Sequence, residues 1–567
     1  LAVGIMFKGK AIRSRLAHMT DVAKPILVAV AWPYANGPLH LGHIAGAYLP
    51  ADIFARYHRI VGNDVLMVSG SDAHGTPITV RADEEGVTPR EVVERFHPLF
   101  LGYWRDLGIS FDLFTTTMTK NHAEVTQLLF TQLYDNGFIA ERTTEQFYDP
   151  AAARFLPDRY VEGTCPSCGA AGARGDQCDA CGKTLDATDL IDPRSKLTGA
   201  IPELKDTAHY FILLAKLETA VSDWLSTRTN WRPHVINWAN GFIGDGLHDR
   251  AITRDIGWGV PLPDGVGLEG AADKRIYVWF EAVIGYLSAS IEWAKSTDDH
   301  NAWQRWWFNE EAESYYFVGK DNIPFHAVYW PAQLMGAGGY NLPTNVPANQ
   351  YVTFKGAKAS KSLGVGKSVT DYLQVFTPDT LRYALAVNLP ESNDVDLTDE
   401  EMARRVNDEL AATWGNLVNR VFTMVQSMAD GVMPDAPVRD ASDDQLIATV
   451  KTQVAEVASA IRAVELRVGL RAAMRGAQAV NVYLNEQAPW KTAKTDRQRT
   501  LTTLHVAVEA IAWLNIAFAP YLPFSAATID ELCGFDGDFA GRGMLGRVPA
   551  VGSALGVPTP LFPKIEL

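Results

Sequence analysis

Five cysteines in 567 residues are too few for an extracellular scaffold built on disulfides, and four of them fall within residues 165–181. A reducing compartment, cytoplasmic, fits that usage. No uninterrupted apolar run reaches the roughly 18 residues a membrane span needs, so no membrane is expected as a partner. Positive charge is also short: 51 Lys and Arg stand against 66 Asp and Glu, a net charge of −15. That balance disfavours a nucleic acid held by bulk electrostatics, although a large enzyme can carry a local basic face on an acidic body. No repeat of 20–50 residues occurs beyond the local echo CPSCG and CDACG, which argues against solenoids and propellers. Residues 1–22 are basic and without periodicity. A transit peptide is one reading; a disordered tail, with Met19 as the natural start, is the expected one.

What is present is the composition of an ordinary globular protein, 47% hydrophobic and 10% aromatic, in a chain too long for one core. Ile26–Ala31 reads as a short buried strand, followed by a Gly/Pro turn. A helix follows, with Leu41, Ile44, Ala45, Tyr48, Ala51 and Ala55 at helical spacing. DVLMVSGSDAHG (64–75) reads as a second strand with a polar exit. Strand, helix and strand at this spacing make a βαβ unit and a parallel sheet. Ligands of such sheets sit beyond the carboxyl ends of the strands, where His40, His43, Asp72 and His74 fall. The pattern breaks over 136–245. It returns in RIYVWFEAVIGYL (275–287) and YYFVGKDNIPFHAVYWPA (315–332), and after about 400 gives way to long helical periods.

Cys165, Cys168, Cys178 and Cys181 form C-x2-C-x9-C-x2-C. Each pair makes a knuckle with two thiolates aimed at one spot, and Gly169 and Gly182 relax the turns that follow. Two knuckles complete a tetrahedral four-thiolate site suited to one Zn²⁺, closed and therefore structural. A redox dithiol is the competing reading, disfavoured by the matched pairs. Cys533 stands alone in an apolar context, as a core thiol does.

AWPYANGPLHLGH (31–43) puts His40 and His43 on one face of a first helical turn. Beside the free N–H groups and the positive end of the helix dipole they form an anion site, with Gly42 allowing close approach. Two satisfied surface histidines are the alternative. Downstream, FKGAKASKSLG (354–364) offers Lys355, Lys358 and Lys361 in a Gly/Ser-rich loop able to close over a triphosphate. GVGKS (364–368) imitates the end of a P-loop, but the earlier glycine of that motif would fall at Lys361, so it is not one.

H-x-G-H after the first strand and K-x-S-K-S after the last resemble the two signatures of class I aminoacyl-tRNA synthetases. AWPYANGPLHLGH, SDAHGTP, YVWFEAVIGY, GKDNIPFH, the four-cysteine insertion and NEQAPW narrow the resemblance to the methionyl-tRNA synthetase family, from about residue 24 to the end. An isoleucyl enzyme shares PYANG but needs a far longer chain, and a cysteinyl enzyme would carry its Zn²⁺ in the active site. The lysine loop departs from the family's K-M-S-K-S: Ala359 stands where Met is usual.

The resemblance implies an α/β fold: a Rossmann-type parallel-sheet catalytic domain with a zinc-knuckle connective insertion, then an α-helical bundle that binds the anticodon. The expected order is a tail (1–22), the first catalytic half (23–135), the insertion (136–245) and the second half (246–345). A stem-contact region with the lysine loop (346–400), the bundle (401–540) and a C-terminal tail (541–567) complete it. It implies a methionine–tRNA ligase activity with ATP (and Mg²⁺), L-methionine and tRNA(Met) as partners. His40, His43, Lys358, Lys361 and Arg254 would be catalytic. Tyr34, Gly42, Gly319, Asp321, Ser360 and Lys361 would hold the nucleotide. Ala31, Trp32, Tyr34, Asp72, Trp279, Ala282, Tyr286, His326 and Trp330 would hold methionine, Asp72 taking the α-ammonium. Asn416, Arg420, Pro489 and Trp490 would read the anticodon, with Arg404, Arg405, Lys491 and Lys494 near the phosphates. The chain ends soon after the bundle, without the domain that dimerises some family members, and a monomer is expected. A non-catalytic RNA-binding paralogue is disfavoured by the intact His40, His43 and Lys361. Another adenylate-forming enzyme on this fold is disfavoured by NLVNR and QAPW.

Overall fold

Short, unbroken apolar runs build the central sheet. β1 (Pro25–Val30), β2 (Asp64–Ser71), β3 (Leu113–Thr116), β4 (Glu313–Gly319) and β5 (Ala348–Asn349) lie in the order β5-β4-β1-β2-β3. Every pairing is parallel. Alternate residues of β1 enter two different cores: Ile26, Val28 and Val30 one, Leu27 and Ala29 the other. Both faces are covered, which is why these strands read as continuous apolar runs. The computed structural model describes residues 23–175, 178, 180, 181, 183, 185–268, 270–354, 357, 358, 367–436 and 438–567, with the side chains of 158, 357 and 358 excepted. Residues 1–22, Gly182, Lys355, Ala359, Ser360, Lys361, the Gly364–Gly366 part of GVGKS and the side chain of Lys358 lie outside the described residues.

β1 has β2 on one side and β4 on the other, so the strand order reverses at β1, and a crevice opens beyond its carboxyl end. The chain leaves there through residues 31–40 into a helical turn (Leu41–His43), a π-helical turn (Ile44–Tyr48) and the helix Leu49–Ile60. All six apolar positions expected on that helix are buried.

The insertion leaves along Ile139–Asp149 and returns along Glu203–Ile212, paired antiparallel over their length. Between them sits a three-stranded antiparallel sheet, Ala173–Arg174, Val161–Thr164 and Ile191–Ser195. Its small core includes Phe147, Leu156, Tyr160, Val161, Cys165 and Cys178, with Val80 packed against it. Val80 belongs to the helix Thr76–Glu85, which also receives Tyr160 Oη on Asp83 at 2.7 Å.

The C-terminal part is helical: Asn416–Met428, Ala441–Arg462, Leu466–Gln487, Arg497–Phe518 and Pro523–Leu532. Arg497–Phe518 is long and apolar enough to cross a membrane by length and composition, but 83% of its apolar window is buried inside the protein. It is the core helix of the bundle, apolar nearly all round because helices surround it.

Arg382 ties the bundle to the sheet domain. Its guanidinium is buried and reaches Asp52 at 2.7 Å, Leu107 O at 3.1 Å, Pro520 O at 3.0 Å and Tyr521 O at 2.8 Å. Burial raises the Asp52 pKa, yet Arg56 and Arg382 hold it down to about 2. The last residues run back across both parts: Gly541 N donates to Arg59 O at 2.9 Å, and Asn407 exchanges two 2.9 Å bonds with Ile565.

Candidate active site

His40 caps its own turn. Its Nδ1 accepts the Gly42 N–H at 3.1 Å, and His43 Nδ1 accepts the His40 N–H at 3.3 Å. The first-turn N–H groups read from sequence as free anion donors are thus partly taken by the two imidazoles. With Nδ1 accepting, each neutral ring carries its proton on Nε2. The two rings stand 3.9 Å apart. A Cβ at Gly42 would stand 2.9 Å from the His40 ring.

The flanks of the lysine segment meet this turn. His40 forms an antiparallel bridge with Ser368, and Val369 N donates to Leu39 O at 3.4 Å. On the other flank Val352 O would lie 3.7 Å from a Gly42 Cβ, and Val352–Phe354 pairs with Ala357–Lys358. Gly319 closes β4, and Asp321 just beyond accepts from the Tyr351 hydroxyl.

The aromatic residues quoted above gather beside the crevice. Trp32 lies between Gly70 and Gly285: a Cβ on either would come within 2.1 or 2.6 Å of its ring. The ring approaches Tyr286 at 6.4 Å. Trp279 Nε1 donates to Tyr34 Oη at 3.2 Å, and Tyr34 pairs through its backbone with Asp72. Ala31 O accepts from Tyr48 Oη at 3.0 Å. Ala282 opens the 3-10 turn Ala282–Ile284 between the helices bearing Trp279 and Tyr286. His326 Nδ1 donates to Asn322 O at 2.8 Å, and its Nε2 accepts from Tyr286 Oη at 2.7 Å. Burial lowers the His326 pKa to about 4, so the ring is neutral and orients Tyr286. Trp330 is fully buried one layer further back and bonds Tyr316 Oη at 3.1 Å.

Arg254 does not pair with the adjacent Asp255. It lies 3.9 Å over the Tyr277 ring and donates to Ala251 O and Thr253 O, both at 2.9 Å. Asp255 instead binds Lys274 and, at 3.1 Å, His209.

Sequence reasoning placed His74 at this edge without giving it a partner, and it missed two groups, Glu281 and His122. Glu281 is wholly buried, with His74 Nδ1 at 3.0 Å and His122 Nε2 closer still. A carboxylate inside YVWFEAVIGY was the available signal, since buried charges are paired. Arg159, from the insertion, was also missed; it lines the mouth with Tyr34, Thr76, Tyr277 and Trp279.

In the bundle, Asn416 and Arg420 share a cavity of about 380 Å³ with Ala412, Asn419 and Asn481. Arg420 Nη2 donates to Asn481 Oδ1 at 3.2 Å, and its guanidinium lies 5.7 Å from the Trp490 ring centre. Pro489 is buried at the start of a short helix, and Trp490 is 40% exposed. Arg404 and Arg405 are engaged by Glu401 and Glu409 at 2.8–2.9 Å, so the expectation that they serve phosphates is weakened.

The four cysteine sulfurs all lie within 4.8 Å of one another. Cys168 and Cys178 are 3.6 Å apart, near the ~3.8 Å edge of a tetrahedron with Zn–S bonds of about 2.3 Å. Gly169 N donates to Cys165 O at 2.9 Å and Cys178 N to Lys183 O at 3.0 Å, closing both knuckles. The donor set and spacing fit Zn²⁺.

The family model "tRNA synthetases class I (M)" matches residues 26–422, and "Anticodon binding domain of methionyl tRNA ligase" matches 433–567. The chain belongs to the methionyl-tRNA synthetase family. Within this family, the methionine–tRNA ligase of Dehalococcoides mccartyi is 50% identical over 545 residues, 96% of this chain and 98% of that one. The methionine–tRNA ligase of Thermomicrobium roseum is 50% identical over 509 residues, covering 90% and 86%. Mycobacterium tuberculosis methionyl-tRNA synthetase in complex with methionyl-adenylate superposes with a TM-score of 0.79 at 27% identity, covering 95% of this chain and 100% of that one. Its free form gives 0.72 at 25% identity, covering 97% and 99%. The family's catalytic match ends inside the helix Asn416–Met428, so the helix bearing Asn416 and Arg420 joins the two matched regions.

Proposed function

We propose that this chain is a methionine–tRNA ligase that activates methionine with ATP and transfers it to tRNA(Met), for initiation and elongation of translation. The observation that carries the reading is the meeting of three parts at one sheet edge. These are the His40/His43 turn, both flanks of the lysine segment, and the aromatic pocket around Asp72. The methionine carboxylate attacks the α-phosphorus of ATP, held with Mg²⁺ as substrate, and pyrophosphate leaves. The terminal ribose hydroxyl of tRNA then takes the acyl group and AMP leaves. Positioning and charge neutralisation dominate such chemistry. His40 and His43 donate Nε2–H to the phosphates. Lys358 and Lys361 meet charge developing on the α-phosphate and pyrophosphate, with Ser360 beside them, and Arg254 supports activation. Gly319 and Asp321 hold the ribose. Asp72 takes the α-ammonium, while Trp32, Tyr34, Trp279, Ala282, Tyr286 and His326 enclose the thioether, a soft group suited to aromatic walls.

The reading is tested by ATP–pyrophosphate exchange with each of the twenty amino acids, followed by tRNA charging. Exchange with methionine alone and charging of tRNA(Met) are expected; exchange with no amino acid would overturn it. Cysteines grouped as four metal ligands and one buried thiol, Cys533, support a reducing, cytoplasmic setting. We also read the chain as a monomer, since its exposed large apolar side chains, such as Leu128, Ile191 and Val438, fall on separate segments.

Zn²⁺ is held by Cys165, Cys168, Cys178 and Cys181 as a structural ion. The insertion has only a small apolar core, and structural Zn²⁺ can be worth about 10–16 kcal/mol to such a fold. Protein purified without chelator is expected to hold one Zn²⁺ per chain by elemental analysis, and Cys178→Ser to lose it. A metal-free protein with an unchanged melting profile would refute this.

A further inference from the structure

Beneath the amino-acid pocket runs a chain of buried polar groups drawn from four parts of the sequence. Ser288 Oγ lies 2.9 Å from His122 Nδ1, and His122 Nε2 bonds Glu281. The other oxygen of Glu281 meets His74 Nδ1 at 3.0 Å, and the backbone N–H of His74 donates to Asp72 Oδ1 at 3.1 Å. Trp258 packs edge-on to His74 and fixes the same loop through Ala73 O at 2.7 Å. The chain ends on the carboxylate read above as the partner of the α-ammonium. Glu281 also shares its helix with Trp279 and directly precedes Ala282, so it bolts the side-chain wall to the ammonium loop. A wholly buried carboxylate is a costly way to join two elements that apolar packing could join.

We propose that Glu281 is a positioning residue for methionine. Its charge, fixed between His74 and His122, keeps the Asp72 carboxyl protonated until the α-ammonium arrives, and binding then releases that proton to solvent. This rests on Asp72 being the ammonium partner. Two carboxylates buried at one residue, Glu281 on the His74 ring and Asp72 on the His74 backbone N–H, do not ionise together easily. Burial raises Glu281, but His122 and His74 hold it down to about 2. Asp72 is pushed well above the carboxylate range by burial and then by Glu281, with only the N–H groups of His74 and Gly75 pulling the other way. The other titratable groups around the pair are Tyr34 and Tyr286, both raised by burial, the neutral His326, and Arg159 near Tyr34. The incoming ammonium does for Asp72 what the imidazoles do for Glu281: it makes the ionised form the favoured one.

The test is the pH profile of the methionine KM in ATP–pyrophosphate exchange, from pH 5 to 9, for the parent chain, E281Q, E281D and D72N. In the parent, KM rises as pH falls through the Asp72 pKa. E281Q removes the neighbouring charge and lowers that pKa, so the rise should move to lower pH by about one unit, with the ATP KM unchanged. E281D keeps the charge and should keep the parent profile. A rise that stays in place or moves upward in E281Q overturns the proposal. If instead D72N leaves the methionine KM unaltered, the assignment of Asp72 is what fails. Should E281Q not fold, difference infrared spectra of the parent decide. Methionine should convert one protonated carboxyl band into a carboxylate band, a change missing from D72N, and its absence in the parent overturns the proposal.

Discussion

Lys361→Ala is expected to slow methionine activation by roughly 10²–10³-fold, the usual cost of removing one preorganised donor from a developing anion. Methionine binding should stay nearly intact. In the proposed role the lysine meets charge present mainly in the transition state, so kcat is expected to fall while the methionine KM moves little. Support comes from the two flanks of its segment. Ser368 bridges His40, and the strand Val352–Phe354 stands beside Gly42, so both described flanks of the segment meet the turn proposed to hold the phosphates. Lys358→Ala should give a smaller loss of the same kind. The family's usual Met is Ala359 here, two residues before Lys361. The lysines and Ser360 around it are retained in the sequence, so charge delivery is expected to persist. Exchange kinetics check this: a large rise in the methionine KM with normal kcat would contradict the role.

Much of this molecule was legible before its coordinates because its chemistry is written in short spacings. Two C-x2-C pairs state a four-sulfur site wherever the rest of the insertion lies, and the described sulfurs meet within 4.8 Å. The apolar runs of β1 and β2 declare a sheet covered on both faces, and the turn after β1 declares its switch point. Long-range partnerships were not legible. Glu281 meets His74 and His122 across 207 and 159 positions, and neither histidine sits in a spacing that announces a carboxylate. Arg382 finds Asp52 and the carbonyls of Pro520 and Tyr521 only once sheet and bundle are docked. The local error at His40 has a similar root. An H-x-G-H turn shows that N–H groups and imidazoles are close, but not that the rings accept those N–H groups. The helix Arg497–Phe518 reads from sequence as part of the bundle, and its burial is what separates a bundle core from a membrane span of the same length and composition.

Trp490→Ala is expected to slow aminoacylation by about tenfold or more and to leave ATP–pyrophosphate exchange alone. Asn416, Arg420 and Trp490 belong to segments some 70 positions apart. The bundle nevertheless sets the Trp490 ring 5.7 Å from the Arg420 guanidinium, at a cavity of about 380 Å³ that Asn416 also lines. Ala488 adopts a left-handed φ of 42°, a conformation unfavourable for a side chain, and Pro489 follows in the next helical turn. Together they end one helix and present Trp490, 40% exposed, at the rim. Asn481 holds Arg420 through Nη2, and both side chains line the cavity. An aromatic plate beside amide and guanidinium donors is what unstacked bases need. A stacked base is worth about 1–3 kcal/mol, and every ~1.4 kcal/mol is tenfold. Exchange needs no tRNA, so it should not change, and an exposed side chain away from the core should cost little stability. The variant should also discriminate less well between a CAU anticodon and an altered one. Normal charging with normal anticodon preference would make Trp490 a packing residue of the bundle and leave the cavity at Arg420 without a base to hold.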